Sequence, residues 1–296
     1  MPASGALRQD SYAPPSAVTV IPVATQRGSG VLGDLVWAVL ASTGHRIRRG
    51  EGALLAINLS LVLCELRRDG DLTRAVLLAL VSTVGILVMY AFNDLYDAPD
   101  DWNNPKKDHR LIATWLAHRR AGVVATSVLK LATLALACIA LGPRPAAMAA
   151  AVMVVNVVYS TLLKGVPVAD VLAVWVWGAF YAAIVDPSPA LVFLVGLMTG
   201  ICHLFQALGD RAPDAANGIE TTAVRSAVLS RNVLIALTVV LAATLAGPLG
   251  VVGAASALVP LVVFFVVRDA SVGWLLTKGY FAVVWLAVLG YGGAAG

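Results

Sequence analysis

What most limits this chain is the length of its uninterrupted apolar runs. Segments 75–92, 191–208 and 233–267 contain no Asp, Glu, Lys or Arg and are rich in Ala, Leu and Val. About 20 such residues in a helix cross a hydrocarbon layer of ~30 Å. In that layer the backbone polar groups are satisfied only within helices or closed barrels. The runs do not alternate apolar with polar residues, so they predict helices and not strands. The composition agrees, with 59% hydrophobic and 13% charged residues and a mean hydropathy of +0.83. A soluble domain carries roughly 25% charged residues.

Nine spans are expected, at about 51–66, 74–97, 119–141, 145–163, 167–185, 189–209, 226–246, 247–267 and 272–292. Ahead of them, 31–42 is apolar but too short to cross; with Arg46, Arg48 and Arg49 it is placed at the interface. The chain thus reads as a polar tail plus a short interfacial segment over 1–45, and a transmembrane domain over 46–296. The basic residues sort by side. Arg46, Arg48, Arg49, Lys106, Lys107, Arg110, Arg119, Arg120, Lys164, Arg211, Arg225 and Arg268 fall on the side of the N-terminus. The other side receives Arg67, Arg68, Arg74 and Arg144. The positive-inside rule then puts the N-terminus in the cytoplasm and the C-terminus outside.

The net charge of +4 is explained by this sorting and does not argue for nucleic acid. Cys64, Cys138 and Cys202 lie in separate apolar runs without metal-ligand spacing and read as small hydrophobes. The first thirty residues, rich in Pro, Ser and Gly, lack a basic start and an apolar core, so a disordered tail is expected and not a signal peptide.

Two acidic patterns carry the chemistry. The second span ends in Asn93-Asp94-Leu-Tyr-Asp97-Ala-Pro-Asp100-Asp101, with Asn93, Asp97 and Asp101 four apart on one helical stripe. The sixth ends in Gln206-Ala-Leu-Gly-Asp210-Arg-Ala-Pro-Asp214, and Asp210 and Asp214 are again four apart. Pro99 and Pro213 are expected to loosen the helix there. Both patterns close even-numbered spans, so both face one side, each followed by a long polar connection (98–118 and 211–225). Carboxylates converging near a membrane face repel unless a cation holds them. Clustered oxygen ligands suit Mg²⁺, which binds through one or two carboxylates plus substrate phosphates.

These residues resemble the UbiA superfamily of intramembrane prenyltransferases, from about Arg48 to Gly293. The first family motif is matched by Asn93, Asp94, Asp97 and Asp101, followed by the basic run to His109-Arg110. The second is matched by Asp210, Asp214, Gly218 and Thr221-Thr222; Tyr159-Ser160, Lys164 and Asp170 also look like the family pattern. Where relatives have Pro and Gly, this chain has Leu111 and Trp115. The resemblance implies an all-α, nine-helix bundle around a central cavity with a cytoplasmic cap. It implies Mg²⁺ held by Asn93, Asp97, Asp101, Asp210 and Asp214, bridging a prenyl diphosphate. Lys107, Arg110 and Lys164 are candidates for phosphate contact, Tyr159 and Asn58 for substrate contact, and Asp94 for orienting a ligand or taking a proton.

The expected reaction transfers the prenyl group to an aromatic or lipid-like acceptor. Two alternatives keep the site: a membrane terpene cyclase, and phosphoribosyl transfer to a polyprenyl phosphate. An ion-coupled transporter is the reading from another class. Transporters place their charges near mid-membrane, whereas these acids sit at helix ends. Four residues keep two readings each: Asn58 and His203 as cavity or packing groups, Lys130 as snorkelling or paired, and Trp175 with Trp177 as cation shields or packing aromatics.

Overall fold

The computed structural model describes residues 30–48, 53–102, 104, 107–186 and 188–291. The expected polar tail, Arg49, Lys106 and Pro187 lie outside the described residues. Among the described residues all regular structure is helical.

In chain order the helices are α1 (Val31–Arg48), α2 (Ala53–Arg68), α3 (Leu72–Asp101), α4 (His109–Ala117), α5 (Arg119–Leu141) and α6 (Pro143–Val158). A π turn, Tyr159–Leu163, prolongs α6. There follow α7 (Ala169–Ala183), α8 (Pro189–Gly209), α9 (Arg211–Ala216), α10 (Thr222–Arg225), α11 (Ala227–Ser256), α12 (Val259–Val266) and α13 (Ala270–Tyr291).

Six of the described helical segments are long and apolar enough to cross a membrane: Leu72–Asp101, Arg119–Leu141, Pro143–Leu163, Pro189–Gly209, Ala227–Val266 and Ala270–Gly290. The seventh and eighth expected spans are joined in Ala227–Val266. Their break falls later than expected, at Gly250, whose φ is 60° and ψ −152°. Pro248 lies just before it and has no N–H for the helical ladder, and glycine tolerates the left-handed turn that results. α7 and α2 are apolar but shorter, at 15 and 16 residues.

Three expectations change. The predicted interfacial stretch is one helix running to Arg48, and its Leu35 and Ala38 are buried with Ala91 and Leu95 of α3 and Leu111, Ile112 and Trp115 of α4. Its other face leaves Leu32, Val36, Leu40 and Ile47 exposed. The polar connection at 98–118 is largely helical, because Asp108 caps the backbone N–H groups of Arg110 and Leu111 and so starts α4. Finally, Pro99 does not loosen α3, which continues to Asp101. A proline so close to a helix end removes one backbone bond and leaves the acidic stripe intact.

The closest packing joins α7 to α8, where a Cβ on Gly178 would overlap Thr199 and one on Gly196 would meet Trp175. At the end of the bundle remote from the acidic patterns, arginines cap helix C-termini. Arg74 donates to the Leu141 carbonyl (3.3 Å) and pairs with buried Glu65 (2.8 Å). Arg68 donates to the Val185 carbonyl (2.7 Å) and Arg144 to that of Ala183 (3.2 Å). These contacts satisfy orphan carbonyls and the negative ends of α5 and α7.

Candidate active site

The C-terminal ends of α3 and α8 open on one cavity of about 460 Å³. Asp94 and Asp101 of α3, Lys107, and Gln206, Gly209 and Asp210 of α8 and its end form the polar side. His45 and Arg46 of α1 also line it, and Leu111, Ile112, Trp115, Phe205, Trp274 and Leu275 make an apolar wall. A site with a charged mouth and an apolar flank suits an amphipathic ligand.

Three of the four acids of α3 are each paired with a cation. Arg46 grips Asp94 with both terminal nitrogens, Nη1 to Oδ2 at 2.8 Å and Nη2 to Oδ1 at 2.7 Å. The same guanidinium lies over the Tyr90 ring, 4.3 Å from its centroid. Lys164 pairs with Asp97 at 2.9 Å and Lys107 with Asp101 at 2.8 Å. Asn93 Oδ1 accepts from Asn156 Nδ2 (2.8 Å) and Ser160 Oγ (2.9 Å), so both lone pairs of that oxygen are engaged. Coordination by Asn93 therefore requires one of those donors to let go.

The π turn aims two of these groups. Its i→i+5 bond, Lys164 N–H to the Tyr159 carbonyl at 2.9 Å, inserts an extra residue at the end of α6. Ser160 then points to Asn93 and Lys164 to Asp97. Such π turns recur at functional sites. Burial alone would depress the Lys164 ammonium, but the Asp97 carboxylate outweighs it and holds the lysine above its ordinary pKa, fully charged.

The second acidic pair spans the junction of α8 and α9, where the Asp214 N–H donates to the Asp210 carbonyl at 2.9 Å. Pro213 is the third residue of α9, where a missing N–H is harmless. Burial raises the Asp214 pKa to about 7; Lys164 opposes the shift, and the negative charges of Asp210, Asp97 and Asp101 add to it. The acids of both helices thus share one electrostatic neighbourhood. Asn217 joins them mechanically, donating to the Asp100 carbonyl at 2.6 Å. Among the described residues no three Asp, Glu, His or Cys side chains converge closely enough to hold a metal ion by themselves. Lys107 and Lys164 sit on the carboxylates instead.

Other expected residues lie elsewhere. Asn58 donates to Thr83 (2.7 Å) and accepts from Ser82, joining α2 to α3, and does not line the cavity. Arg110 is exposed, its guanidinium 4.4 Å from the Trp37 ring centroid on α1. The Tyr159 hydroxyl lies 3.4 Å from His203 Nε2. Lys130 is buried over the Phe92 ring, 3.4 Å from its centroid. Trp175 packs on Phe193 and Trp177 on Tyr181. The sequence reading missed Asn156, Ser160 and Asn217 as partners of the acidic stripe, and the start of α13 as a cavity wall. A polar residue isolated in an apolar span, as Asn156 is, was the available signal.

The model of the UbiA prenyltransferase family matches residues 54–273. The chain belongs to that family. Solved structures agree on the fold. A UbiA homologue from Archaeoglobus fulgidus bound to DMAPP and Mg²⁺ superposes with a TM-score of 0.59 at 16% identity, covering 88% of this chain and 98% of the homologue. The same comparison with a UbiA homologue from that organism bound to GPP and Mg²⁺ gives 0.62 at 14% identity, over 87% and 99%. A structure of digeranylgeranylglyceryl phosphate synthase gives 0.66 at 14%, over 88% and 98%. No curated protein sequence matches the chain. At these identities the likeness speaks for the UbiA fold alone.

Proposed function

We propose that this UbiA-family protein is a Mg²⁺-dependent prenyltransferase that ionises a prenyl diphosphate and joins its isoprenoid to an aromatic or lipid-like acceptor. One observation carries the reading: both acidic helix ends, through Asp101 with Lys107 and through Asp210, meet at a single cavity whose far wall is apolar, and Lys164 pairs with Asp97 one turn before Asp101. The donor set fits the ion, since Asn93, Asp97, Asp101, Asp210 and Asp214 offer only hard oxygen ligands. Burial first, and the neighbouring Asp210, Asp97 and Asp101 after it, raise the Asp214 pKa, and a divalent cation at these oxygens would offset both.

Mg²⁺ held by those five residues would supply the positive charge that a departing diphosphate requires. Lys164 and Lys107 are placed to donate to phosphate oxygens, leaving the carboxylates of Asp97 and Asp101 as they do so. Asp94, gripped by Arg46, fastens α1 to α3 at the cavity. The wall of Leu111, Trp115, Phe205 and Trp274 receives the isoprenoid and keeps water from the allylic cation. We further propose nine crossings, counting α2, α7 and both parts of Ala227–Val266, with the acidic end in the cytoplasm as the basic residues require.

The test is incubation of purified protein in detergent with Mg²⁺ and geranyl, farnesyl or geranylgeranyl diphosphate, with and without a phenol or a lipid alcohol. Pyrophosphate release that yields prenylated product only with an acceptor is the expected outcome. Hydrocarbon formed without an acceptor would instead make the protein a cyclase. Absence of pyrophosphate release from all three donors would overturn the proposal.

A further inference from the structure

Asp170, at the start of α7, is completely buried and belongs to none of the groups assigned above. Its carboxylate accepts from the Val171 N–H (2.8 Å), from the Thr222 N–H (2.8 Å) and from the Thr222 hydroxyl. Thr222 opens α10, just after the second acidic pair. The same hydroxyl oxygen accepts from the Val168 N–H at 2.7 Å, and the Thr222 carbonyl accepts from Ser230 of α11 at 3.2 Å. Val168 holds φ at +69°, a left-handed conformation that β-branched residues rarely adopt. The bond to Thr222 holds it there.

The segment 164–170 therefore runs between the two acidic patterns. At one end Lys164 pairs with Asp97, and at the other Asp170 receives Thr222. Between them Gly165 lies against Ile219 and Glu220. A buried carboxylate that accepts two hydrogen bonds from Thr222, one from its N–H and one from its hydroxyl, fixes the path of the segment leading to α10. We infer that Asp170 is a positioning residue. It locks the 217–222 loop so that Asp210 faces Asp101 across the cavity and Asp214 stays one turn beyond Asp210. The inference rests on the prenyltransferase reading, since it supposes that those acids act together on a Mg²⁺–diphosphate.

The test measures Mg²⁺-dependent binding of geranyl diphosphate by calorimetry, together with amide hydrogen exchange of residues 215–224 in metal-free protein. Asp170→Asn replaces an acceptor oxygen with a donor facing the Thr222 N–H or hydroxyl. It is expected to raise the Mg²⁺ concentration for half-maximal binding about 10-fold or more, the usual effect of losing a group that orients metal ligands. Exchange at 215–224 is expected to quicken while the unfolding temperature changes little. Thr222→Val is expected to reproduce the shift, Thr222→Ser to restore near-normal binding, and the double variant Asp170→Asn/Thr222→Val to be no worse than either single change.

Should Asp170→Asn not fold, the Thr222→Val and Thr222→Ser pair decides the matter alone. Variants that bind with the wild-type Mg²⁺ midpoint overturn the inference and leave the prenyltransferase reading standing. Wild-type protein that binds no geranyl diphosphate at any Mg²⁺ concentration overturns both.

Discussion

Asp97 and Asp101 each hold a lysine at hydrogen-bonding distance, 2.9 and 2.8 Å, while Asp210 and Asp214 approach from the facing helix end. If the four act together, Asp97→Ala or Asp210→Ala lowers turnover of a prenyl diphosphate at least about 100-fold. Each variant should still elute as a folded species in size-exclusion chromatography, and near-normal turnover in either would remove the metal assignment. Asp214 gives a pH signature. Its pKa in the folded protein is about 7, against 3.8 for the ordinary side chain. A raised value means that folding takes up a proton between those limits. The contribution to stability is fully present below pH ~4 and is lost as pH rises to about 7. Metal-free protein should therefore unfold at a lower temperature at pH 8 than at pH 5. Asp214→Asn should flatten that difference, and Mg²⁺ should restore stability at pH 8 in wild type. Mg²⁺ binding itself should weaken as pH falls below about 7, where the proton competes; calorimetry at pH 6 and 8 checks it.

Helix pairs explain how far the fold could be read in advance. The seam between α7 and α8 depends on Gly178 receiving Thr199, whose hydroxyl has the carbonyls of Val174, Val195 and Gly196 as acceptors within reach. Gly178→Ala should destabilise by about 1–3 kcal/mol through overpacking, and adding Thr199→Ala should recover most of it in thermal unfolding. The six long apolar helices were legible because apolar runs must be helical in lipid, and the acidic stripes because four-residue spacing repeats on one helix face. The π turn was not, since nothing in Tyr-Ser-Thr-Leu-Leu distinguishes an i→i+5 bond from an ordinary helix end. The continuity of α3 through Pro99 and the helical α4 were likewise missed, because proline and polar residues signal a break only on average. Contacts between distant segments, such as Arg46 with Asp94 or Asn217 with Asp100, have no local sequence mark at all.

For the whole molecule, the acidic patterns and most basic residues gather at one end. Cytoplasmic orientation of that end predicts that Arg120→Cys is labelled by an impermeant maleimide only from the cytoplasmic face, and Asp69→Cys only from the opposite one. Native Cys64, Cys138 and Cys202 would be replaced first. The reverse pattern would invert the proposed topology. The two ends of the bundle also differ in how they are fastened. Guanidinium groups of Arg68, Arg74 and Arg144 clasp main-chain carbonyls at the far end, whereas at the cavity end Arg46, Lys107 and Lys164 hold side-chain carboxylates that a competing anion can replace. A bundle tied this way behaves like a bouquet bound at its stems. On the proposed reading, the opening that admits a bulky, greasy molecule and lets a spent one go falls to the end fastened by exchangeable ion pairs.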